Sequence, residues 1–212
     1  MSSKAGTNVY LVRHRSTRGI FCMEGDWWNN LKRRSSVEPV LHLLSQWDPF
    51  FTPYIHRDVD TAASFWHYLQ KWSGKRYADY PILYLALHGD AGQIRIGDRR
   101  RRDSAVDLKT LAEKLRGRCA GRIIYFGTCA TMAVHGNALK AFLKKTGALA
   151  VCGYRQPVDW LMATGFDLLV LAAMQQNALR ADGARAMWRR IRSASGSLAR
   201  HLGFRMVIRG GT

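Results

Sequence analysis

Short runs of β-branched and aromatic residues alternate with stretches of helical periodicity along the whole chain. Two of the runs, Ile82-Leu83-Tyr84-Leu85-Ala86-Leu87 and Ile123-Ile124-Tyr125-Phe126, are almost continuously apolar. Strands covered on both faces read this way, because neither side of the pleat meets water. The pair is expected side by side in the middle of a sheet, within strands at 81–88 and 122–128. Further strands are expected at 8–13, 53–59, 148–154 and 203–208. Helices are expected at 37–47, 62–72, 105–115, 136–146, 160–179 and 184–199. Thr61 is placed to cap the second helix, and Asp103 or Ser104 the third. Phe65, Leu69 and Trp72 recur at the spacing of a buried helix face, as do Trp188, Ile191 and Leu198, so the aromatic residues belong to the core rather than to a base-stacking surface. Strands interleaved with helices from end to end define an α/β fold with a largely parallel sheet. One departure is Gln93-Ile94-Arg95-Ile96-Gly97, which alternates polar and apolar positions after Gly89 and Gly92, as a short solvent-facing hairpin does.

Composition bounds this picture. A chain of 212 residues that is 47% hydrophobic fills one substantial core, so residues 1–212 are expected to form a single domain. The first eight residues carry no signal-peptide run, and no stretch approaches the roughly 20 apolar residues of a membrane span, which points to a cytoplasmic protein. Cys22, Cys119, Cys129 and Cys152 are far apart and form no C-x-x-C pair, so free thiols are expected, with no metal site and no cofactor. Thirty-three Lys and Arg against fifteen Asp and Glu give a net charge of +18. The excess is concentrated: residues 93–122 carry ten basic and four acidic side chains, and residues 180–212 carry eight and one. Arg99 to Arg102 form one block, and Arg185, Arg189 and Arg192 a stripe on the last helix. Such surfaces attract nucleic acid, anionic membrane or acidic proteins. No recognised nucleic-acid module accompanies them, so nucleic-acid binding is possible but not favoured.

Chemistry concentrates at two strand ends. In open α/β sheets, functional groups gather beyond the carboxyl ends of adjacent central strands, where loops converge on a crevice. His88 ends the first apolar run and is followed by Gly89, and Cys129 ends the second and is followed by Ala130. A thiol attacks a carbonyl as thiolate, so a cysteine hydrolase needs an imidazole to accept the proton and later to protonate the leaving amine. His88 and Cys129 can divide that work. The developing oxyanion needs backbone donors, and Gly89 allows close approach of its N–H, joined by the N–H of Cys129 itself.

Leu87-His88-Gly89-Asp90 and Gly127-Thr128-Cys129-Ala130 resemble the caspase-like cysteine peptidases, the group that includes caspases, metacaspases, gingipain-like and separase-like enzymes. There, an apolar strand ends in His-Gly and the next ends in the nucleophilic Cys. The histidine here precedes the cysteine by 41 residues, close to the roughly 50 of caspases. The resemblance implies a three-layer αβα sandwich around a six-stranded, mostly parallel sheet, with an antiparallel sixth strand at 203–208. It also implies a cysteine endopeptidase acting on protein substrates through a Cys129–His88 dyad.

In the relatives, the residue before the scissile bond is read by the loops after the first and fifth strands. Those loops would offer Arg13, Arg15 and Arg18 on one side and Arg155 and Asp159 on the other, groups suited to either an acidic or a basic substrate residue. The Gln-Ala-Cys-x-Gly signature of true caspases is absent, as is the metacaspase Asp before the cysteine. The chain looks most like small, divergent bacterial members, some of which act in antiviral defence, with regulation supplied by a protein partner. The competing reading is a catalytically inactive adaptor or nucleic-acid binder that uses the basic surface.

Overall fold

The computed structural model describes residues 18–28, 30, 32–33, 35–97 and 104–210. Strands β1 (Ile20–Glu24), β2 (Tyr54–Asp58), β3 (Ile82–Ala86), β7 (Ile123–Phe126), β8 (Ala150–Tyr154) and β9 (Phe204–Ile208) form one sheet in the order β2-β1-β3-β7-β8-β9. All neighbours are parallel except β8 and β9. The two apolar runs are adjacent, with Ile82 beside Ile123 and Leu85 beside Phe126.

Successive strand residues point to opposite faces, and each face has its own core. Ile20, Cys22, Tyr84, Tyr125, Cys152 and Tyr154 pack with α1 (Glu38–Gln46), α5 (Trp160–Gln175) and α6 (Ala181–His201). Phe21, Met23, Leu83, Leu85, Ile124 and Phe126 pack with α2 (Ala62–Trp72), α3 (Leu108–Lys114) and α4 (Gly136–Thr146). The result is the expected three-layer αβα sandwich. Phe65, Leu69 and Trp72 lie in its core, as their spacing requires, and Thr61 caps α2 by accepting the Ser64 N–H.

Three expectations change. The strand expected at 8–13 lies outside the described residues, and the first described strand of the sheet is Ile20–Glu24, where none was expected. Its five residues end in an acid, and without its neighbours the segment is too short to display a period. The third helix starts at Leu108 rather than 105, because Ala105–Asp107 forms β6 and pairs with β5 (Gln93–Arg95). Its cap is therefore Asp107, whose carboxylate accepts the Thr110 N–H at 2.6 Å, and not residue 103 or 104. Finally, the strand expected to run to His88 stops at Ala86, and His88–Asp90 forms β4, the start of a small antiparallel sheet β4-β5-β6. The hairpin expected at 93–97 is the middle of that sheet.

Candidate active site

The carboxyl ends of β3 and β7 open onto a cleft of about 270 Å³. Both His88 and Cys129 line it, one from each strand end, together with Gly127, Trp27, Trp28, Tyr84, Val158, Asp159, Trp160 and Asp167. Of the four cysteines, all free, only Cys129 is partly exposed. Burial pushes the Cys119 thiol up to about 12 and raises Cys22 and Cys152 well above the ordinary range, so those three are core fillers.

Cys129 sits on a tight turn. Ala130, directly after it, has φ 54°, a left-handed conformation that costs a non-glycine residue energy and persists only where neighbours enforce it. Here they do. The Ala130 N–H donates to Gln156 O at 3.1 Å, and the Met132 N–H to Tyr154 O at 2.9 Å. The sulfur accepts the Val158 N–H at 3.5 Å, which fixes it toward the loop after β8. On the other side, the Thr131 hydroxyl donates to Gln93 O at 2.9 Å, and the Gly92 N–H donates to Thr131 O. The turn that carries the cysteine is thereby stitched to the hairpin that begins at His88.

Gly89 lies inside this seam. A Cβ there would sit 2.4 Å from Thr131 Oγ1 and 2.7 Å from Cys129 O. Only glycine lets β4 press against the cysteine turn this closely.

The His88 ring is held from behind. Its Nε2 donates to Trp27 O at 3.0 Å, and the two rings meet edge to face at 5.7 Å. Trp27 is anchored in turn: its indole N–H donates to Glu24 at 2.6 Å. Glu24, 3% exposed at the end of β1, also accepts from Ser36 Oγ, the Val37 N–H and His56 Nε2. Burial alone would lower the His56 pKa, but the hydrogen bond and charge of Glu24, with Glu38 and Asp58, outweigh it and raise it. Glu24, His56 and Asp58 are the one group among the described residues whose ligand atoms lie within 4.8 Å of one another. Both Glu24 oxygens already accept donors, so this cluster works as a hydrogen-bonded hub behind Trp27.

The expected substrate groups are only partly assembled. Asp159 lines the cleft and also caps α5 by accepting the Met162 N–H at 2.9 Å. Arg155 does not line it; its Nε faces Gly203 O at 3.4 Å. Arg13 and Arg15 lie outside the described residues, as does the block Arg99 to Arg102. Arg18 precedes β1, at the opposite end of the strand from the cleft, where its guanidinium donates to Gln175 O and Asn177 O past α5. The loop after the first strand does reach the cleft, but through Trp27 and Trp28.

A residue not anticipated from the sequence forms the floor. Asp167, 3% exposed, accepts hydrogen bonds from the hydroxyls of Tyr84, Tyr125 and Tyr154. Its signal was a lone acid inside the apolar helix 160–175, opposite tyrosines embedded in apolar strands, whose buried hydroxyls need partners. Burial raises its pKa from 3.8 to about 6, against the opposing effect of the tyrosines. Between those values the native state holds a proton that the unfolded chain has released, so stability falls as pH rises through this window. The difference amounts to ~3 kcal/mol in total. Denaturant titrations at pH 4, 5, 6 and 7 should show this decline, and Asp167→Asn should flatten it.

The fold is that of the caspases. The chain superposes on the crystal structure of caspase-1 from Spodoptera frugiperda with a TM-score of 0.51 at 10% identity, covering 98% of this chain and 92% of that one. By sequence, residues 17–207 match the model of DUF6642, a family of unknown function, and the chain belongs to that family. No protein of curated function matches the sequence. Among the described residues, no helix is long and apolar enough to cross a membrane.

Proposed function

We propose that this chain is a caspase-like cysteine endopeptidase in which residues 1–212 act as one catalytic domain, with Cys129 as nucleophile and His88 as acid and base. One observation carries the reading: the only partly exposed cysteine and a backbone-anchored histidine line one cleft, from the ends of adjacent parallel strands. The Nε2 hydrogen bond to Trp27 O supports a ring proton on that nitrogen, with Nδ1 in the role of base. Nδ1 takes the thiol proton as the sulfur–carbon bond forms and the carbonyl electron pair moves to oxygen. It returns the proton to the departing amine, and then activates water against the thioester.

The oxyanion falls to the N–H groups of Gly89 and Cys129. The two-residue turn Ala91-Gly92 makes Asp90 and Gln93 the closing pair of the hairpin. Gly89 and Ile94 then form a non-hydrogen-bonded pair, and the Gly89 N–H is directed to the outer edge of β4. The buried indole N–H of Trp160, also in the cleft wall, has no acceptor among the described residues. A main-chain carbonyl of a bound peptide supplies one. Protein substrates and a regulatory protein partner on the basic surface belong to the same reading.

The test is covalent labelling with peptides that carry a thiol-reactive ketone. Mass spectrometry should find the adduct on Cys129 alone, and His88→Ala should slow its formation by about two orders of magnitude or more. Equal labelling of the other thiols, or an unchanged rate in His88→Ala, would overturn the dyad.

A further inference from the structure

Resting on that reading of the site, we infer that the cleft beside Cys129 receives a cationic side chain, with Asp159 at its mouth and Asp167 at its floor, so that the enzyme cleaves after arginine or lysine.

The charge inventory points this way. The chain carries 33 Lys and Arg and 15 Asp and Glu, yet the described residues that line the cleft include two carboxylates and no Lys or Arg. In a chain of this net charge, a lining whose described carboxylates face no lining Lys or Arg is an arrangement that draws a cation inward. The carboxylates are also aligned. Ala163 and Asp167 lie four apart on one face of α5, Asp159 caps the start of the same helix, and all three line the cleft. Small Ala163 in the middle keeps the passage from mouth to floor open.

Asp167 is suited to be met by a cation. Among the described residues its only partners are the three tyrosine hydroxyls, all neutral. A carboxylate offers about four acceptor positions, so one remains after three donors. A buried carboxylate with no cation is costly, and an arriving guanidinium or ammonium offsets that cost. The walls fit the rest of such a side chain: Trp27, Trp160 and Tyr84 give apolar faces for the methylene stem and aromatic rings near which a cation is stabilised. An acidic substrate residue would bring a third carboxylate against two, and is rejected.

The experiment compares four peptides that differ only in the residue before the leaving group, Arg, Lys, Leu or Asp, using the full chain. The Arg and Lys peptides should exceed the Leu and Asp peptides by at least 100-fold in kcat/KM. Asp167→Asn should collapse the Arg-to-Leu ratio toward unity. Should Asp167→Asn fail to fold, Ala163→Leu narrows the passage while keeping Asp167, the three tyrosines and the residue 163 carbonyl that the Tyr154 hydroxyl meets, and should depress Arg and Lys cleavage selectively. A readout independent of turnover is binding of agmatine to Cys129→Ala by calorimetry, lost on adding Asp167→Asn or Ala163→Leu. Absence of labelling and cleavage with every peptide, while agmatine binds, would sink the peptidase reading and leave the cation pocket standing. Cleavage with no preference for Arg or Lys, or agmatine binding indifferent to both substitutions, would overturn the inference itself.

Discussion

Cys129→Ala is expected to reduce peptide cleavage by a factor on the order of 10⁴ or more, while leaving the melting temperature within a few degrees of the parent. The size of the effect follows from the chemistry. With no thiolate there is no thioester, and the oxyanion donors and His88 have no covalent step to assist. The small effect on stability follows from the site: Cys129 is partly exposed and its sulfur meets the protein mainly through the Val158 backbone. A discontinuous assay with mass-spectrometric detection reads the first quantity, and calorimetry the second. Residual cleavage within tenfold of the parent would assign the activity elsewhere.

Gly89→Ala should be nearly as damaging for a different reason. The added methyl would lie 2.4 Å from Thr131 Oγ1, 2.7 Å from Cys129 O and 2.9 Å from Thr128 Cβ. All three atoms belong to the turn that carries Cys129, and one is backbone, which cannot rotate away. The seam must therefore open. Overpacking of this kind costs about 1–3 kcal/mol, and a displacement of a few tenths of an ångström or more separates His88, Cys129 and the oxyanion donors together. Cleavage is expected to fall by at least ~10²-fold, with a measurable drop in the midpoint of denaturation. Unchanged kcat with reduced stability alone would show that the seam is structural only.

The meeting of His88 and Cys129 in one cleft was legible because both residues end runs that announce themselves. Ile82 to Leu87 and Ile123 to Phe126 read as central strands without any neighbour in view, and His88-Gly89 and Cys129-Ala130 mark where each stops. The layered architecture followed from the same alternation. What could not be read depended on partners distant in sequence. Glu24 closes a five-residue strand whose neighbours, residues 54–58 and 82–86, establish it as one; taken alone, it was passed over for 8–13, and Arg13 and Arg15, expected beside that run, lie outside the described residues. Ala105–Asp107 fits a helical continuation until Gln93–Arg95 pairs with it. Asp167 sits 83 residues from Tyr84 and 42 from Tyr125. No local pattern announces a carboxylate gathered by three strands onto one helix.

The seam between β4 and the cysteine turn separates two kinds of change. His88 and Cys129, the proposed dyad, stand on segments locked to one another by close contacts that tolerate almost nothing, a glycine at 89 above all. The residues proposed to choose what enters stand on the loop after β1 and on α5 with its cap, outside that seam. On the proposed reading, descendants of this chain can alter their diet by exchanging side chains at 159 and 163 while positions 88, 89 and 129 stay fixed, so preference should vary across the family more freely than the dyad does.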